Sequence, residues 1–417
     1  MTILVINAGS SSVKFTLFAE ESTLAEGIIE RIGRKGTRLL YKDASGMALD
    51  QDVAATDTRQ AVERIARLLE DKDRGILKTA SPIRAAGHRV VHGGEKLTRP
   101  VIVDEEVRKT IRDCFELAPL HNPPNLQGIE VCERHFPDIP QVAVFDTAFH
   151  STMPDYAYLY GIPYDLYRKD GIRRYGFHGI SHGYVAKEAA RFLERPPGEL
   201  KLITCHLGNG CSITAVQGGK SVDTSMGFTP LEGLIMGTRC GDLDPAVVLY
   251  LVEHKGMEAA RVGDLLNKRS GILGLAQAGS NDFRDVIAAA GRGSSLAKTA
   301  LEAFCYRIKK YIGAYWAAMN GLDGLVFTAG IGENSPLIRQ MVCQGLDGRG
   351  GPSILLDPRQ NEMRGAGFPC AIHKEESSVK VLVVPTNEAK EISRQARELL
   401  GPAPRHPRDM EQTPLTK

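Results

Sequence analysis

Residues 3–18, ILVINAGSSSVKFTLF, decide the fold, because they place two apolar runs on either side of a short polar turn. The runs at 3–9 and 13–18 are rich in residues that favour strands, and three serines, Ser10 to Ser12, join them. This pattern predicts a β-hairpin whose turn presents small polar groups to whatever lies above it.

A second stretch of the same design lies near the middle of the chain. The runs KLITCHLGNG (201–210), CSITAVQGG (211–219) and KSVDTSM (220–226) are separated by glycine-rich turns and predict three successive strands. Elsewhere, apolar β-like runs alternate with helical ones. We therefore predict an α/β protein with a duplicated fold of two similar halves, because this strand-and-turn pattern occurs twice.

Length and charge limit the possible functions. A chain of 417 residues is too long for one ordinary core, which favours two domains. The 52 Lys and Arg residues nearly balance the 50 Asp and Glu residues, so the net charge of +2 offers no general field for nucleic acid or a membrane surface. No apolar run approaches the length of a membrane helix, and the N-terminal residues resemble a strand rather than a signal peptide. We expect a cytoplasmic protein.

Three further segments predict regular structure. Residues 142–150 predict a strand, and residues 295–319 predict a long helix. Residues 379–400 predict a strand, a turn and a helix. The stretch LDGLVFTAGIGENS (322–335) predicts a buried strand that runs into a glycine-rich turn. Asn334 or Ser335 then caps a helix that has Pro336 at its first position.

Glycine-containing turns follow four runs that we interpret as apolar strands: 7–12, 206–210, 278–280 and 329–335. Such turns present backbone N–H groups to anions, and Lys14 follows the first of them, which favours a bound nucleotide. Neither the GxxxxGK[ST] pattern nor GxGxxG with a downstream acid occurs. At this point a phosphate-binding module without catalytic activity remains the alternative.

Reactive side chains are dense in three other segments: GHRVVHGGE (87–95), RRYGFHGISH (173–182) and MGTRCGDLDP (236–245). They carry Arg89, His178 and Arg239 among glycines, so these side chains can approach a ligand closely. Alone, each is more often a solvated arginine or a core histidine. With the oxygen groups of Asn7, Asp146 and Glu388 they form an inventory for phosphoryl transfer.

From residue 3 to about 400 the sequence resembles the acetate and propionate kinase family. The motifs that carry the resemblance stand in the family's order: NAGSSSVKF, GHRVVHGG, PLHNPPN, VFDTAFH, YGFHGISH, HLGNG, DTSMGFTPLEGLIMGTRCGDLDP, NDFRD and FTAGIGENS. This family belongs to the sugar kinase, Hsp70 and actin superfamily, so the resemblance implies two duplicated ribonuclease-H-like domains with the active site in the cleft between them. Cys211 and Cys240 stand where the family more often has Ser, and 274–282 is slightly altered.

The resemblance implies reversible transfer of the ATP γ-phosphate to acetate, giving acetyl phosphate and ADP, with Mg²⁺ and with Mn²⁺ as a substitute. It also implies a homodimer and the following roles. The catalytic residues are Asp146, His178 and Arg239; the substrate site is Arg89 with the acyl pocket Val91, Leu120, Phe177 and Pro230; the metal residues are Asn7 and Glu388. Phosphate-loop residues are Ser10 and Ser12, and nucleotide residues are Lys14, His206, Leu207, Gly208, Asn209, Gly210, Asp282, Phe283, Arg284, Gly330, Ile331, Gly332, Glu333 and Asn334.

The chemistry of the reaction indicates what each of these groups does. Acetate is already ionised at neutral pH, so the nucleophile needs no general base. Arg89 suits the carboxylate, because a guanidinium pairs with both oxygens, and Arg239 with His178 suits the phosphoryl oxygens. We interpret Asp146 as a residue that positions an arginine or a metal-bound water, and proton transfer by Asp146 stays open as the alternative.

Domain bounds follow from the metal residues, which stand at opposite ends of the chain. If Asn7 and Glu388 serve one metal, the C-terminal segment must return to the first domain. We therefore predict one domain at 1–148 plus 388–400, a second, nucleotide-binding domain at 149–387, and a disordered tail at 401–417.

Two alternatives from the sequence stay open. Propionate or another short-chain carboxylic acid could be the phosphoryl acceptor, since Arg89 would bind every carboxylate equally. A non-catalytic nucleotide switch would keep the glycine turns, but it has no need of Arg89, His178 and Arg239 together.

Overall fold

The computed structural model describes residues 1–9, 11–71, 82–348, 351–362, 367 and 369–401. Ser10, predicted in the phosphate loop, and all of the predicted tail after residue 401 lie outside the described residues. The chain divides into two units, one comprising Met1–Phe145 with the stretch from Glu388 onward, the other Asp146–Asn387. The sequence predicted the first boundary after residue 148, and in the structure the first unit ends at Phe145.

Strands and helices alternate in both units. The strands are β1 (Thr2–Ala8), β2 (Ser12–Ala19), β3 (Ser22–Glu30), β4 (Arg38–Asp43), β5 (Ala48–Asp52), β6 (Ile83–Val90), β7 (Val101–Ile102), β8 (Gln141–Phe145), β9 (Lys201–Leu207), β10 (Cys211–Gln217), β11 (Lys220–Thr224), β12 (Gly324–Thr328), β13 (Cys370–Ala371) and β14 (Lys380–Val383).

The helices are α1 (Thr58–Glu70), α2 (Glu105–Asp113), α3 (Asn122–His135), α4 (Asp155–Tyr158), α5 (Tyr164–Asp170), α6 (Gly179–Phe192), α7 (Pro245–Glu253), α8 (Ala259–Lys268), α9 (Gly271–Ala276), α10 (Phe283–Gly291), α11 (Ser295–Ala318), α12 (Ala329–Asn334), α13 (Pro336–Cys343), α14 (Pro358–Asn361) and α15 (Glu388–Leu400). Short 3₁₀ turns lie at Ala148–Thr152 and Pro197–Glu199. No helix within the described ranges is long and apolar enough to cross a membrane.

The first unit is built on a sheet whose described strands run in the order β5-β4-β3-β2-β1-β6-β8-β7. Strands β1, β2 and β3 pair antiparallel, whereas β1, β6 and β8 are parallel. One face is covered by α1 and α3, whose Ile65, Leu69 and Val131 share a core cluster with Leu4 and Ile6 of β1. Burying these apolar side chains is the main stabilising contribution of this layer.

Helix α15 packs against β1 and β6 of the same unit. A Cβ atom added to Gly87 of β6 would lie 2.8 Å from Cγ2 of Ile392, so the glycine permits this close approach. This packing matters for the site because α15 begins at Glu388, a predicted metal residue.

The second unit repeats this arrangement, with the described strands in the order β11-β10-β9-β12-β14-β13. Strands β9, β10 and β11 pair antiparallel, and β9, β12 and β14 are parallel. Helix α6 packs against β9 and β12, and α11 packs against β9 and β10. The prediction of a duplicated α/β fold is therefore confirmed, since both sheets have three antiparallel strands followed by two parallel ones.

Local predictions for the second unit were mostly correct. The long helix is α11, and Ser335 caps α13, where its Oγ accepts from the Ile338 amide at 3.4 Å. Two predictions are wrong. Residues 329–334 form the short helix α12 instead of a turn, and the glycine-containing segment 278–280 follows α9 instead of a strand.

Candidate active site

In the first unit, Arg89 lies between the two predicted metal residues. Arg89 Nη1 donates to Oδ1 of Asn7 at 3.4 Å, and its Nε lies 3.6 Å from Oε2 of Glu388. The three residues come from neighbouring elements, because β1 and β6 are adjacent parallel strands and α15 begins with Glu388. The fold thus joins the first strand, β1, and the start of α15 at one guanidinium group.

The hairpin that opens this unit places Lys14 beside the same cluster. Lys14 of β2 is paired with Asn7 of β1 and is exposed. Ser12 is the first residue of β2, and its carbonyl accepts from the Gly9 amide at 2.8 Å. A cationic side chain therefore stands at the turn end of the hairpin.

Two of the residues predicted for the acyl pocket belong to this unit and differ in exposure. Val91 is only 3% exposed, whereas Leu120 is 57% exposed. The Val91 amide donates to Oδ1 of Asn125 at 3.0 Å, and Nδ2 of Asn125 donates to the Ala8 carbonyl at 2.6 Å. Asn125 was not predicted as a site residue, although it ends the PLHNPPN motif. It ties the segment after Arg89 to the strand that carries Asn7.

In the second unit, His178 immediately precedes α6 and has a left-handed backbone, with φ of 57°. Its Nδ1 is hydrogen-bonded to Oγ of Ser212 on β10 at 2.9 Å. Its ring stacks on that of His206 from β9, with centroids 4.2 Å apart and an interplanar angle of 19°. Stacking and hydrogen bonding together fix the direction of the ring.

Arg239 and His178 converge on the turn between β9 and β10. A Cβ atom added to Gly210 would lie 3.5 Å from His178 Nε2 and 3.6 Å from Arg239 Nη1. Arg239 Nη1 also donates to the carbonyl of Pro230, a predicted acyl-pocket residue, at 3.2 Å. Burial lowers the pKa of Arg239 from its ordinary value, a shift that the nearby Cys211 thiol opposes. Two side-chain nitrogens therefore lie close to one point on a glycine turn.

Asp146 is the first residue of the second unit and is 1% exposed. Its carbonyl accepts from the amide of Gly179 at 3.0 Å, and Gly179 follows His178 directly. A Cβ on Gly179 would lie 2.2 Å from that carbonyl, so only glycine fits there. Phe177, also predicted for the acyl pocket, is 2% exposed, and its carbonyl is hydrogen-bonded to His150 Nε2 at 3.0 Å. The backbone on both sides of His178 is held in place.

The loop that carries Arg239 is anchored by an ion pair that the sequence did not indicate. Arg174 Nη1 donates to the carbonyls of Thr224 and Ser225, and its Nη2 donates to Oε1 of Glu232 at 2.6 Å. Tyr160 donates to the other oxygen of Glu232 at 2.5 Å. Arg174 belongs to the segment 173–182, but its role was not predicted. Nothing in the sequence distinguishes it from any other arginine near a conspicuous histidine.

A cavity of about 1030 Å³ opens in the second unit. Its lining includes these predicted nucleotide residues: Asn209, Asp282, Phe283, Arg284, Gly330, Ile331 and Asn334. The sequence did not predict the other lining residues: Asn281, Ile287, Ser335, Pro336, Leu337, Gln340 and Glu362. Of the missed residues, Asn281 and Ser335 stand inside the quoted motifs NDFRD and FTAGIGENS. The volume suits a nucleotide-sized ligand.

Other predicted nucleotide residues are not among the residues that line the described cavity: His206, Leu207, Gly208, Gly210, Gly332 and Glu333. The Glu333 carboxylate accepts from the amides of Ala329 and Thr386, at 2.8 and 3.1 Å. Asp282 forms a bidentate pair with Arg284, which lowers the pKa of that carboxyl to about 2. In the structure, therefore, Glu333 binds backbone amides away from the cavity lining, and the lining residue Asp282 is paired with Arg284.

The fold and site define an α/β protein of two topologically similar units. One unit holds Arg89 between Asn7 and Glu388, and the other has a nucleotide-sized cavity together with His178 and Arg239. Residues 2–394 match the Acetokinase family, and the chain belongs to this family.

Several relatives resemble the chain over nearly its full length. The acetate kinase of Methanosarcina thermophila is 52% identical over 402 residues, covering 96% of this chain and 97% of that protein. The crystal structure of Porphyromonas gingivalis acetate kinase matches with a TM-score of 0.89 at 44% identity, covering 96% of this chain and all of that one (100%). A propionate kinase structure from Francisella tularensis matches with a TM-score of 0.86 at 41% identity, covering 94% and 98%.

Proposed function

We propose that this protein transfers the γ-phosphate of ATP to acetate, reversibly, giving acetyl phosphate and ADP. One observation carries the proposal: His178 Nε2 and Arg239 Nη1 converge over Gly210, in the turn that also carries the cavity residue Asn209. Two side-chain nitrogens close to one point, beside a nucleotide-sized cavity, suit the charge that builds on a transferring phosphoryl group. Family membership over residues 2–394 supports the same reaction.

In this reaction an acetate oxygen forms a bond to the γ-phosphorus, and the bond from that phosphorus to the β-γ bridging oxygen breaks. Acetate is ionised at neutral pH, so no proton is removed in the forward direction. Arg89 binds the carboxylate, while Arg239 and His178 stabilise the equatorial phosphoryl oxygens. The Asp146 carboxylate positions an arginine or a metal-bound water, while the backbone carbonyl of the same residue accepts from the Gly179 amide.

Magnesium fits the oxygen donors around Arg89. Mg²⁺ favours carboxylate and amide oxygens and is usually held by one or two protein groups together with waters and substrate phosphates. Asn7 and Glu388 supply one amide and one carboxylate oxygen within 3.6 Å of the same guanidinium. No cluster of three or more His, Cys, Asp or Glu residues suited to a metal occurs within the described ranges. We propose that Asn7 and Glu388 hold Mg²⁺, or Mn²⁺, which would neutralise charge on the nucleotide phosphates.

Trapping of the product tests the proposed reaction. The purified protein is incubated with acetate, ATP and Mg²⁺ in the presence of hydroxylamine, which converts acetyl phosphate to a coloured hydroxamate complex with iron. We expect hydroxamate to form only when all three are present, and ADP to appear in equal amount. Nucleotide binding without any hydroxamate would reject phosphotransfer to acetate and favour the nucleotide switch.

The acceptor pocket gives the first prediction on specificity. We expect acetate to be preferred to propionate by roughly 10- to 200-fold in kcat/KM, because one methylene is worth only about 1 to 3 kcal/mol. Val91→Ala removes two methyl groups beside Arg89 and should narrow that ratio by about 3- to 10-fold, mainly through faster use of propionate. Steady-state rates with both acids measure this.

The burial of Val91 also allows a purely structural role. Since Val91 is only 3% exposed, truncation should cost about 1 kcal/mol or more of stability in either case. A lower melting temperature with an unchanged acetate-to-propionate ratio would place Val91 in the core and remove it from the acyl pocket.

We also propose that the protein is a homodimer that associates through α7. This helix is largely apolar, PAVVLYLVE, yet none of its residues is buried. Leu249 and Tyr250 are 57% and 51% exposed, and Leu243 just before the helix is exposed as well. A cluster of exposed apolar side chains on a helix of this kind is typical of a protein interface.

Substitution of Leu249 tests this surface. We expect the parent protein to have twice the 45.4 kDa mass of the chain, and Leu249→Glu to raise the dimer dissociation constant by at least about 10-fold. Sedimentation equilibrium measures both, with Leu399→Glu, at an exposed leucine of α15, as the control. A parent monomer, or equal dimer stability in the two variants, would contradict an interface at α7.

A further inference from the structure

A chain of buried hydroxyl and imidazole groups leads away from His178 into the second unit. His178 Nδ1 is hydrogen-bonded to Ser212 Oγ at 2.9 Å, and Ser212 Oγ to His182 Nε2 at 2.7 Å. His182 Nδ1 is hydrogen-bonded in turn to Thr204 Oγ1 at 2.7 Å. Ser212, His182 and Thr204 have no exposed surface. The chain starts at a residue of the proposed site and ends in the core.

We propose that Ser212 is a positioning residue which, through His182 and Thr204, fixes His178 as the neutral tautomer with its proton on Nε2. The assignment goes beyond the proposed phosphotransfer but rests on it for the role of His178. It names the protonation state in which this histidine meets the phosphoryl group.

The direction of the chain follows from counting its hydrogens. A neutral imidazole has one N–H and one accepting nitrogen, and each hydroxyl has one hydrogen. If Thr204 donates to His182 Nδ1, then His182 Nε2–H donates to Ser212, and Ser212 donates to His178 Nδ1. Every buried hydrogen then has an acceptor, and the remaining proton of His178 is on Nε2.

The opposite direction is less favourable. It would require His178 Nδ1–H to donate to Ser212, Ser212 to His182, and His182 to Thr204. The Thr204 hydrogen would then be buried, and within the described residues the Thr204 hydroxyl has no side-chain partner other than His182. A buried polar hydrogen without an acceptor is costly. In that direction Nε2 of neutral His178 would carry a lone pair instead of a hydrogen. It could then donate no hydrogen bond to a phosphate bound near Arg239 and Gly210.

The surroundings of these rings favour neutral imidazoles. His178 faces His206 of β9 in a stacked contact, His182 of α6 through Ser212, and Arg239 across Gly210. A second positive charge beside the Arg239 guanidinium is disfavoured. Burial, with smaller contributions from His150 and His206, holds the pKa of His182 well below its ordinary value.

Nitrogen-15 NMR of histidine-labelled full-length protein tests the tautomer directly, with His178→Gln used to assign the His178 signals. At pH 7.5 we expect the parent to show a proton-bearing Nε2 and an unprotonated Nδ1 for His178. A protonated Nδ1 in the parent, whether neutral or cationic, would overturn the proposal without any variant. This readout needs no turnover, so it is separate from the test of the proposed reaction.

Two variants and one matched control extend the test. Ser212→Ala, and Thr204→Val at the far end of the chain, should each shift the His178 signals toward a mixture of tautomers. Each should lower kcat by about 10-fold with less than about a threefold change in KM. Thr214→Val is the control, because Thr214 lies on β10 with Ser212 and its Oγ1 bonds Thr224 Oγ1 at 2.8 Å in an equally buried pair. Unchanged His178 signals in both variants, or equal shifts in Thr214→Val, would contradict the proposal.

Discussion

Replacement of Arg239 by alanine should lower kcat by about 10²-fold or more, with a much smaller change in the KM for ATP. Arg239 Nη1 shares one point over Gly210 with His178 Nε2, and a contact that strengthens as charge builds on the phosphoryl group acts mainly in the transition state. Initial rates at varied ATP and acetate separate the two constants. Near-normal kcat in the alanine variant would contradict this assignment.

Two further variants make the Arg239 result specific. Arg239→Lys keeps the charge but not the planar pair of donors, so we expect only partial recovery of kcat. Arg261→Ala removes an exposed arginine of α8 and serves as the matched control. Equal losses in Arg239→Ala and Arg261→Ala would point to a general effect on charge or stability.

Replacement of Glu388 by alanine should raise the Mg²⁺ concentration for half-maximal rate by about 10- to 100-fold. Glu388 and Asn7 both place an oxygen against Arg89, so removing the carboxylate leaves Asn7 as the remaining proposed protein ligand for the metal. The KM for acetate should change far less. Titrations with Mg²⁺ at saturating ATP and acetate measure the effect.

The same helix supplies a control for Glu388. Glu398 also belongs to α15 and is 64% exposed at its side chain, where it pairs with Arg394. Glu398→Ala should leave the Mg²⁺ dependence unchanged. If the titrations of Glu388→Ala and the parent superimpose, Glu388 does not hold the metal.

The hairpins were predictable because their information is local. In 3–18 and 201–226 apolar strand-forming runs alternate with glycine, serine and asparagine turns, and both stretches form antiparallel strands in the structure. Helix α12 was missed because its support comes from a side chain outside the segment, six and seven residues further along the chain. Arg339 of α13 donates to the carbonyls of Gly332 and Glu333, at 2.8 and 2.9 Å, and so stabilises a glycine-rich helix that has a poor intrinsic propensity.

The candidate site also contains residues that the sequence pointed to and residues that it did not. Conspicuous charged residues such as Arg89, His178 and Arg239 stood out among glycines in the sequence, and their roles remain predictions. The buried groups that hold them, Asn125 and Ser212, were not found. An asparagine or serine inside a strand or helix has no pattern of its own, because its partner is set by tertiary packing.

The most direct test of the whole account measures kcat/KM for acetate, propionate and butyrate with saturating ATP and Mg²⁺, by ADP release coupled to a second enzyme. We predict phosphorylation of acetate with the highest kcat/KM, a value for propionate lower by roughly 10- to 200-fold, and a still lower value for butyrate. A higher value for propionate or butyrate would contradict acetate as the acceptor. The absence of ADP release with all three acids would contradict the proposed phosphotransfer itself.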